Sequence, residues 1–244
     1  MTRQGIDVSH WQGDIDWEQV KASGIDFVIV KAGGSDAGFY TDSRFEENYA
    51  GAKAAGLMVG AYYFVGKYCK SYEDGVADAK RFIAMISGMQ FEYPVYIDFE
   101  APDSSDKEGN TEACIGFCQT MEDNGYFSGI YASEISGFRD RLDDSKLQSY
   151  SHWVARYGKR PSTIPDNVFG IWQYSSKGSV AGIAGNVDMD ISYVDFPSII
   201  KKAGLNGFTK SQTESKPAAT VELTLEERVA LLEEKINIIL DRLG

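Results

Sequence analysis

The chain has 244 residues, 43% of them hydrophobic, and a formal net charge of −12. That length supports one large α/β core with a small appendage. The charge argues against nucleic acid or an anionic membrane surface as a partner, without excluding a polymer rich in cationic groups, and no apolar run is long enough to span a bilayer.

The first residues run directly into Gly5-Ile6-Asp7-Val8 without a basic region followed by an apolar segment, so no secretory signal is expected. Short apolar, β-branched or aromatic runs predict strands at Gly5–Ser9, Asp26–Lys31, Met58–Phe64, Tyr93–Glu100 and Phe127–Ser133. Helical patterns fall between them, near Asp16–Ser23, Ser43–Ala55, Tyr72–Ser87 and Thr111–Asn124, several ending at a glycine such as Gly24, Gly56 or Gly125. Strand, helix, strand at this spacing implies right-handed crossovers and a parallel sheet. The second half keeps strands at His152–Tyr157, Phe169–Tyr174 and Val187–Ile191 but loses its helices until Pro197–Ala203. Eight strands with incomplete helices predict an irregular (β/α)8-like barrel over residues 1–205; an open doubly wound sheet is the alternative.

From Asn206 to Thr220 the composition turns to Lys, Ser, Thr, Gln, Pro and Ala, which predicts a flexible linker. Beyond it Leu225, Val229, Leu232, Ile236, Ile239 and Leu243 repeat at spacings of four and three, with Leu231 and Ile238 widening the apolar surface. Thr224 followed by Glu227 three residues on has the spacing expected of a capping box at the start of this pattern. Residues 221–244 are therefore expected to form a coiled-coil-like helix that assembles a homo-oligomer.

No Gly-x-Gly-x-x-Gly or phosphate-loop motif follows an early strand, so no nucleotide cofactor is expected. The chain has only His10 and His152 and no spaced ligand cluster, so no metal is expected either. Cys69, Cys114 and Cys118 are odd in number, and the last two lie one helical turn apart, which favours free buried thiols.

The chemistry points to Tyr93-Pro94-Val95-Tyr96-Ile97-Asp98-Phe99-Glu100, an apolar strand that stops in two carboxylates. Residues two apart on a strand share a face, which puts the Asp98 and Glu100 Cα atoms about 6–7 Å apart. Asp-x-Glu alone often marks a solvated strand edge. Acids confined to the C-terminal end of an apolar strand instead fit delivery of catalytic groups to a barrel mouth, and paired carboxyl groups are the machinery of glycosidic bond cleavage. Asp7 on the first strand and Asp188 and Asp190 on the last would face the pair, because first and last strands are neighbours in a closed barrel. Asp16 and Asp26 are expected to be structural, at a helix start and a strand start.

The segments Asp7-Val8-Ser9-His10-Trp11-Gln12-Gly13, Ala61-Tyr62-Tyr63-Phe64, Tyr96-Ile97-Asp98-Phe99-Glu100, Gly129-Ile130-Tyr131-Ala132-Ser133, Ile171-Trp172-Gln173-Tyr174 and Val187-Asp188 resemble the lysozymes of glycoside hydrolase family 25, common among phage endolysins and bacterial autolysins. The resemblance spans roughly residues 5 to 200. It implies a muramidase that cuts the β-1,4 bond between N-acetylmuramic acid and N-acetylglucosamine in peptidoglycan glycan strands. It implies Glu100 as general acid, Asp98 as its partner carboxylate, and Asp7 and Asp188 as flanking acids. Tyr62, Tyr131 and Trp172 are implied as substrate-contacting aromatics. Where family members often carry Asn two residues after the final Asp, this chain has Asp190, which leaves the choice between Asp188 and Asp190 open, and Asp190 is expected among the substrate-binding residues. A cytoplasmic product that reaches the bacterial wall after release is the localisation this family implies.

Asp98 has three available roles: direct nucleophile, base for a water, or a group that orients the substrate 2-acetamido so that its carbonyl oxygen attacks C1. The last is favoured, because adjacent acids on one strand are poorly placed on opposite ring faces. The competing functions are an N-acetylhexosaminidase acting on chitin-like polymers and a carbohydrate-binding or scaffolding protein.

Overall fold

The computed structural model describes residues 2–210. The expected coiled-coil helix over 221–244, and the linker beyond Lys210, lie outside the described residues.

The chain alternates strand and helix through its first half: β1 (Arg3–Val8), α1 (Trp17–Ala22), β2 (Phe27–Gly34), β3 (Tyr40–Thr41), α2 (Phe45–Ala54), β4 (Met58–Phe64), α3 (Tyr72–Ile86), β5 (Val95–Asp98), α4 (Lys107–Asp123) and β6 (Ser128–Ser133). Short π-helical and 3₁₀ turns at Glu134–Arg139 and Asp144–Lys146 replace the next helix. β7 (Ser151–Ala155), β8 (Phe169–Gly178), β9 (Val187–Ser192) and α5 (Phe196–Ala203) complete the order. Eight strands close into a barrel, because β1 pairs with both β2 and β9; β3 is a two-residue partner along the end of β2. The irregular barrel with incomplete helices is thus the observed architecture, and the open sheet is excluded.

The direction of one strand departs from expectation. β9 runs antiparallel to both neighbours, while the other barrel pairings are parallel. The loop 179–186 joins β8 to β9 without a crossover helix, and a short connection between adjacent strands reverses the chain.

Alternation along each strand separates two apolar layers. Ile6, Val8, Val28, Val30, Val95, Ile97 and Val154 face outward against the helices. Phe27, Ile29, Tyr62, Tyr96, Tyr131, Trp153 and Ile171 fill the barrel. Helices α3 and α4 touch at backbone distance: a Cβ on Gly75 would meet the Ala113 carbonyl oxygen, and one on Gly116 would meet that of Tyr72. All three cysteines are buried and free, as expected. Asp16 caps α1 by accepting from the Gln19 N–H, and Asp26 accepts from the Gln4 N–H; both are structural.

The lower end of the barrel is plugged by α5, whose Phe196 and Ile200 join the interior layer. Pro197 in its first turn and Gly204 in the left-handed region after its last are the usual helix boundaries. The chain then stays attached. Asn206, assigned by composition to the linker, is fully buried and adopts φ +54°. Its amide donates to the Phe91 and Tyr93 carbonyl oxygens, and its Oδ1 accepts from the Phe127 N–H at 2.7 Å. The folded domain therefore extends beyond 205, and composition missed it because one buried amide outweighs a run of polar neighbours.

Asn206→Ala would orphan the buried Phe91 and Tyr93 carbonyl oxygens and the half-buried Phe127 N–H, a buried group costing about 1–3 kcal/mol when left unpaired. Its urea unfolding midpoint is expected to fall with an unchanged denaturant slope. A midpoint equal to wild type would show that the clasp contributes nothing.

Candidate active site

Parallel strands send their C-terminal ends to one mouth, and antiparallel β9 brings its N-terminal end to the same place. In β5, Val95 and Ile97 face the helices, so Tyr96 and Asp98 face the barrel axis. Glu100 stands just past the end of β5. β1 supplies Asp7, and β9 supplies Asp188 opposite it in register, with Asp190 one inward position further along.

Asp98 is only 5% exposed, and its Oδ1 has no hydrogen-bond partner. Burial, then the charge of Glu100, raises its carboxyl well above the ordinary range, while Lys31 opposes the rise. Glu100 is exposed as a residue, yet the protein around its carboxyl still desolvates it. That burial raises its pKa, and Lys31 and Arg141 oppose the shift. Burial, rather than repulsion from Asp98, is thus the main cause at Glu100. Asp188 is pushed to about 6 by burial first and the Glu100 charge second.

An aromatic floor closes the mouth from below. Trp153 on β7 is nearly inaccessible, with ring centroids 4.4 Å from Tyr131, 5.3 Å from Tyr96 and 6.0 Å from Tyr62. A cleft of about 180 Å³ opens beside it, lined by Glu100, Tyr131, Ser133, Ala155, Arg156 and Tyr157. Its wall is held by Arg156, which is bonded to buried Glu134; Glu134 also accepts from the Ser162 and Thr163 N–H groups. On the rim, the Ser9-His10-Trp11-Gln12 segment folds as a capping box, with the Ser9 N–H donated to Gln12 Oε1. Buried Asp42 lies 2.7 Å from His10 Nδ1 and pins this turn, which leaves Trp11 80% exposed.

The structure brings Asp98, Glu100, Asp7, Asp188, Tyr62 and Tyr131 to one mouth. Two expected substrate contacts are corrected. Trp172 packs with the outer layer and donates its indole N–H to the Arg156 carbonyl oxygen, because Ile171 and Gln173 occupy the inward positions of β8. Asp190 is fully buried beneath the mouth, accepting from Trp153 Nε1–H at 2.8 Å, and has no surface to offer a substrate.

Four residues at the site were missed in the sequence. Gln173 donates to Asp7 Oδ2 and accepts from the Tyr131 and Tyr157 hydroxyls. Trp153 forms the floor, and Tyr157 lines the cleft. Lys31 projects from β2 over the Phe64 ring at 4.6 Å and is the cation that bears on both Asp98 and Glu100. The alternation of Trp153, Ala155 and Tyr157 was legible, but which parity faced inward was not.

Replacing Lys31 by Met removes the charge that favours the ionised acids. Asp98 and Glu100 are both expected to titrate at higher pH, as followed by carboxyl ¹³C shifts in labelled protein. Unmoved titrations would mean that the Lys31 charge does not reach them.

Comparison with known proteins agrees with this geometry. The family model for glycosyl hydrolases family 25 matches residues 6–183. The autolytic lysozyme of Clostridium acetobutylicum is 31% identical over 187 residues, covering 77% of this chain and 55% of that protein. Lysozyme M1 of Streptomyces globisporus is 31% identical over 206 residues, covering 76% of this chain and 66% of that one. The chain thus spans between half and two thirds of the length of these relatives. Among solved structures, the CTP1L endolysin superposes with a TM-score of 0.71 at 27% identity, covering 82% of this chain and 69% of that one. The modular autolysin LytC from Streptococcus pneumoniae, solved with a synthetic peptidoglycan ligand, gives 0.70 at 28%, covering 79% and 47%. A family match over most of the barrel, on a fold whose acids converge at one mouth, makes this chain a member of glycosyl hydrolases family 25.

Proposed function

We propose that this protein is a peptidoglycan muramidase of the endolysin type, hydrolysing the β-1,4 bond between N-acetylmuramic acid and N-acetylglucosamine in bacterial cell walls. The observation that carries this reading is a buried, unpartnered carboxyl, Asp98, beside a solvent-facing one, Glu100, over an aromatic floor. The names of the relatives, lysozymes and autolysins, support the same substrate.

Access assigns the roles. Glu100 reaches the cleft, and its raised pKa lets it hold a proton to give to the leaving glycosidic oxygen. Asp98 is sunk below it, and its unpartnered Oδ1 can accept the N–H of the substrate 2-acetamido group. The acetamido oxygen then attacks C1 as the C1–O bond breaks. Water opens the resulting oxazolinium ring, giving its proton to Glu100. Asp188 and Asp7 supply negative field on the opposite wall as positive charge develops at C1. Tyr62 and Tyr131 border the reacting sugar from below. Exposed Trp11, Tyr68 and Tyr157, each on a segment following a strand at the mouth, offer ring faces to further sugars.

The test is mass spectrometry of borohydride-reduced products from purified peptidoglycan. Muramitol ends are expected from wild type, with kcat lower by about 10²–10⁴ in Glu100→Gln. Glucosaminitol ends would move the cut to the other bond, and wall binding without products would make the protein a binding module.

The repeat in residues 221–244 supports a further reading, self-association that raises avidity for a repetitive polymer. A concentration-dependent oligomer that becomes monomeric when the chain is cut near Lys216 is expected by light scattering; a mass that stays monomeric before and after the cut would sink it.

A further inference from the structure

Two carboxyls lie against each other below the mouth. Asp7 enters from β1 and Asp190 from β9, strands paired at Gly5 with Asp190 and Asp7 with Asp188, so the two inward-facing side chains are diagonal neighbours across the strand pair. Asp190 is fully buried and Asp7 nearly so. Gln173 donates to Asp7 Oδ2 at 2.8 Å, and Trp153 donates to Asp190 Oδ1 at 2.8 Å. Asp190 Oδ2 is buried and has no hydrogen-bond partner. An ionised carboxylate only accepts, so two of them cannot bond to each other unless one carries a proton.

The surroundings favour that proton. Neither carboxyl belongs to an ion pair among the described residues. The titratable groups around them are Asp188 on β9, Tyr62 on β4, Tyr96 on β5, Tyr131 on β6, Tyr174 on β8 and Tyr157 after β7. None of these is a cation; Lys31 on β2 bears on Asp98 and Glu100 instead.

We propose that Asp190 is a positioning residue that acts through one proton shared with Asp7. The O–H···O bond between them aims Asp7 at the mouth, while the second Asp190 oxygen fixes the Trp153 indole as the floor. Gln173 carries the constraint on to the Tyr131 and Tyr157 hydroxyls, so one proton orders a whole side of the cleft.

Burial first, with the charge of Asp188 adding to it, pushes Asp190 to about 8, and burial and the charges of Asp190 and Asp188 raise Asp7. The pair titrates as a unit, carrying one proton near neutrality. Its loss would leave two repelling charges under the floor. The sign for stability follows: the folded state holds a proton that an unfolded carboxyl with the ordinary value of 3.8 has released. Stability from this pair is therefore full below 3.8, declines as pH rises from there, and is lost by about 8.

Asp190→Asn tests the idea, because its amide can still donate to Asp7 and accept from Trp153 yet has no proton to lose. kcat and KM on purified peptidoglycan and the urea midpoint are measured across one pH series; only the kinetic arm rests on the muramidase reading. The alkaline limb of kcat is expected to move up by about one pH unit or more with KM unmoved, and the decline of the midpoint between 3.8 and about 8 is expected to flatten. Superimposable profiles and midpoints would overturn the proposal. A flattened midpoint with an unmoved limb would retain the shared proton and overturn the positioning role. If wild type releases no muramitol ends, the muramidase reading fails, while the midpoint series still decides whether the proton is shared.

Discussion

The barrel closes through β1, hydrogen-bonded in parallel to β2 on one side and antiparallel to β9 on the other. Everything chemical at the mouth depends on that closure. It brings residues 7 and 188 into register, removes the sheet edge between the ends of the domain, and seals an interior that Trp153 and the tyrosines can fill. Opening the barrel between β1 and β9 would leave Asp7 and Asp190 on opposite borders of the sheet.

Closure also concentrates negative charge. Asp7, Asp98, Asp188, Asp190 and Glu100 all have raised pKa values, with burial the leading cause at each. Lys31 opposes the rise at only two of them. A fold selected for stability alone would replace such groups with apolar ones, since unpaired buried charge is costly. A site that must keep a proton near neutral pH for a leaving oxygen needs the same burial. Acid strength is thus set mostly by depth in the barrel, and the role of each acid by its access to the cleft.

The rest of the domain serves to hold that mouth still. The Glu134 carboxylate gathers Arg156 and the Ser162–Thr163 backbone into one wall. Asp42 fastens the turn bearing Trp11. At the far end, α5 and Asn206 seal the barrel with apolar side chains and backbone hydrogen bonds. Rigidity comes from satisfied buried polar groups at the loops and from aromatic packing within.

Eight strands, their helical connections and the acid-bearing end of β5 were legible in the sequence, because apolar period and glycine-marked helix ends are local properties of the chain. The pairing of first with last strand followed from strand count. Residue parity was legible too, but its sense was not: both faces of a barrel strand are buried, so Trp172 and Gln173 compete for the inward position with no polarity contrast to decide between them. The direction of β9, the depth of Asp190 and the clasp at Asn206 were likewise decided only by tertiary structure. Each depends on groups far apart in sequence meeting across the barrel, and the burial that shifts a carboxyl or orphans an amide exists only once those groups have met.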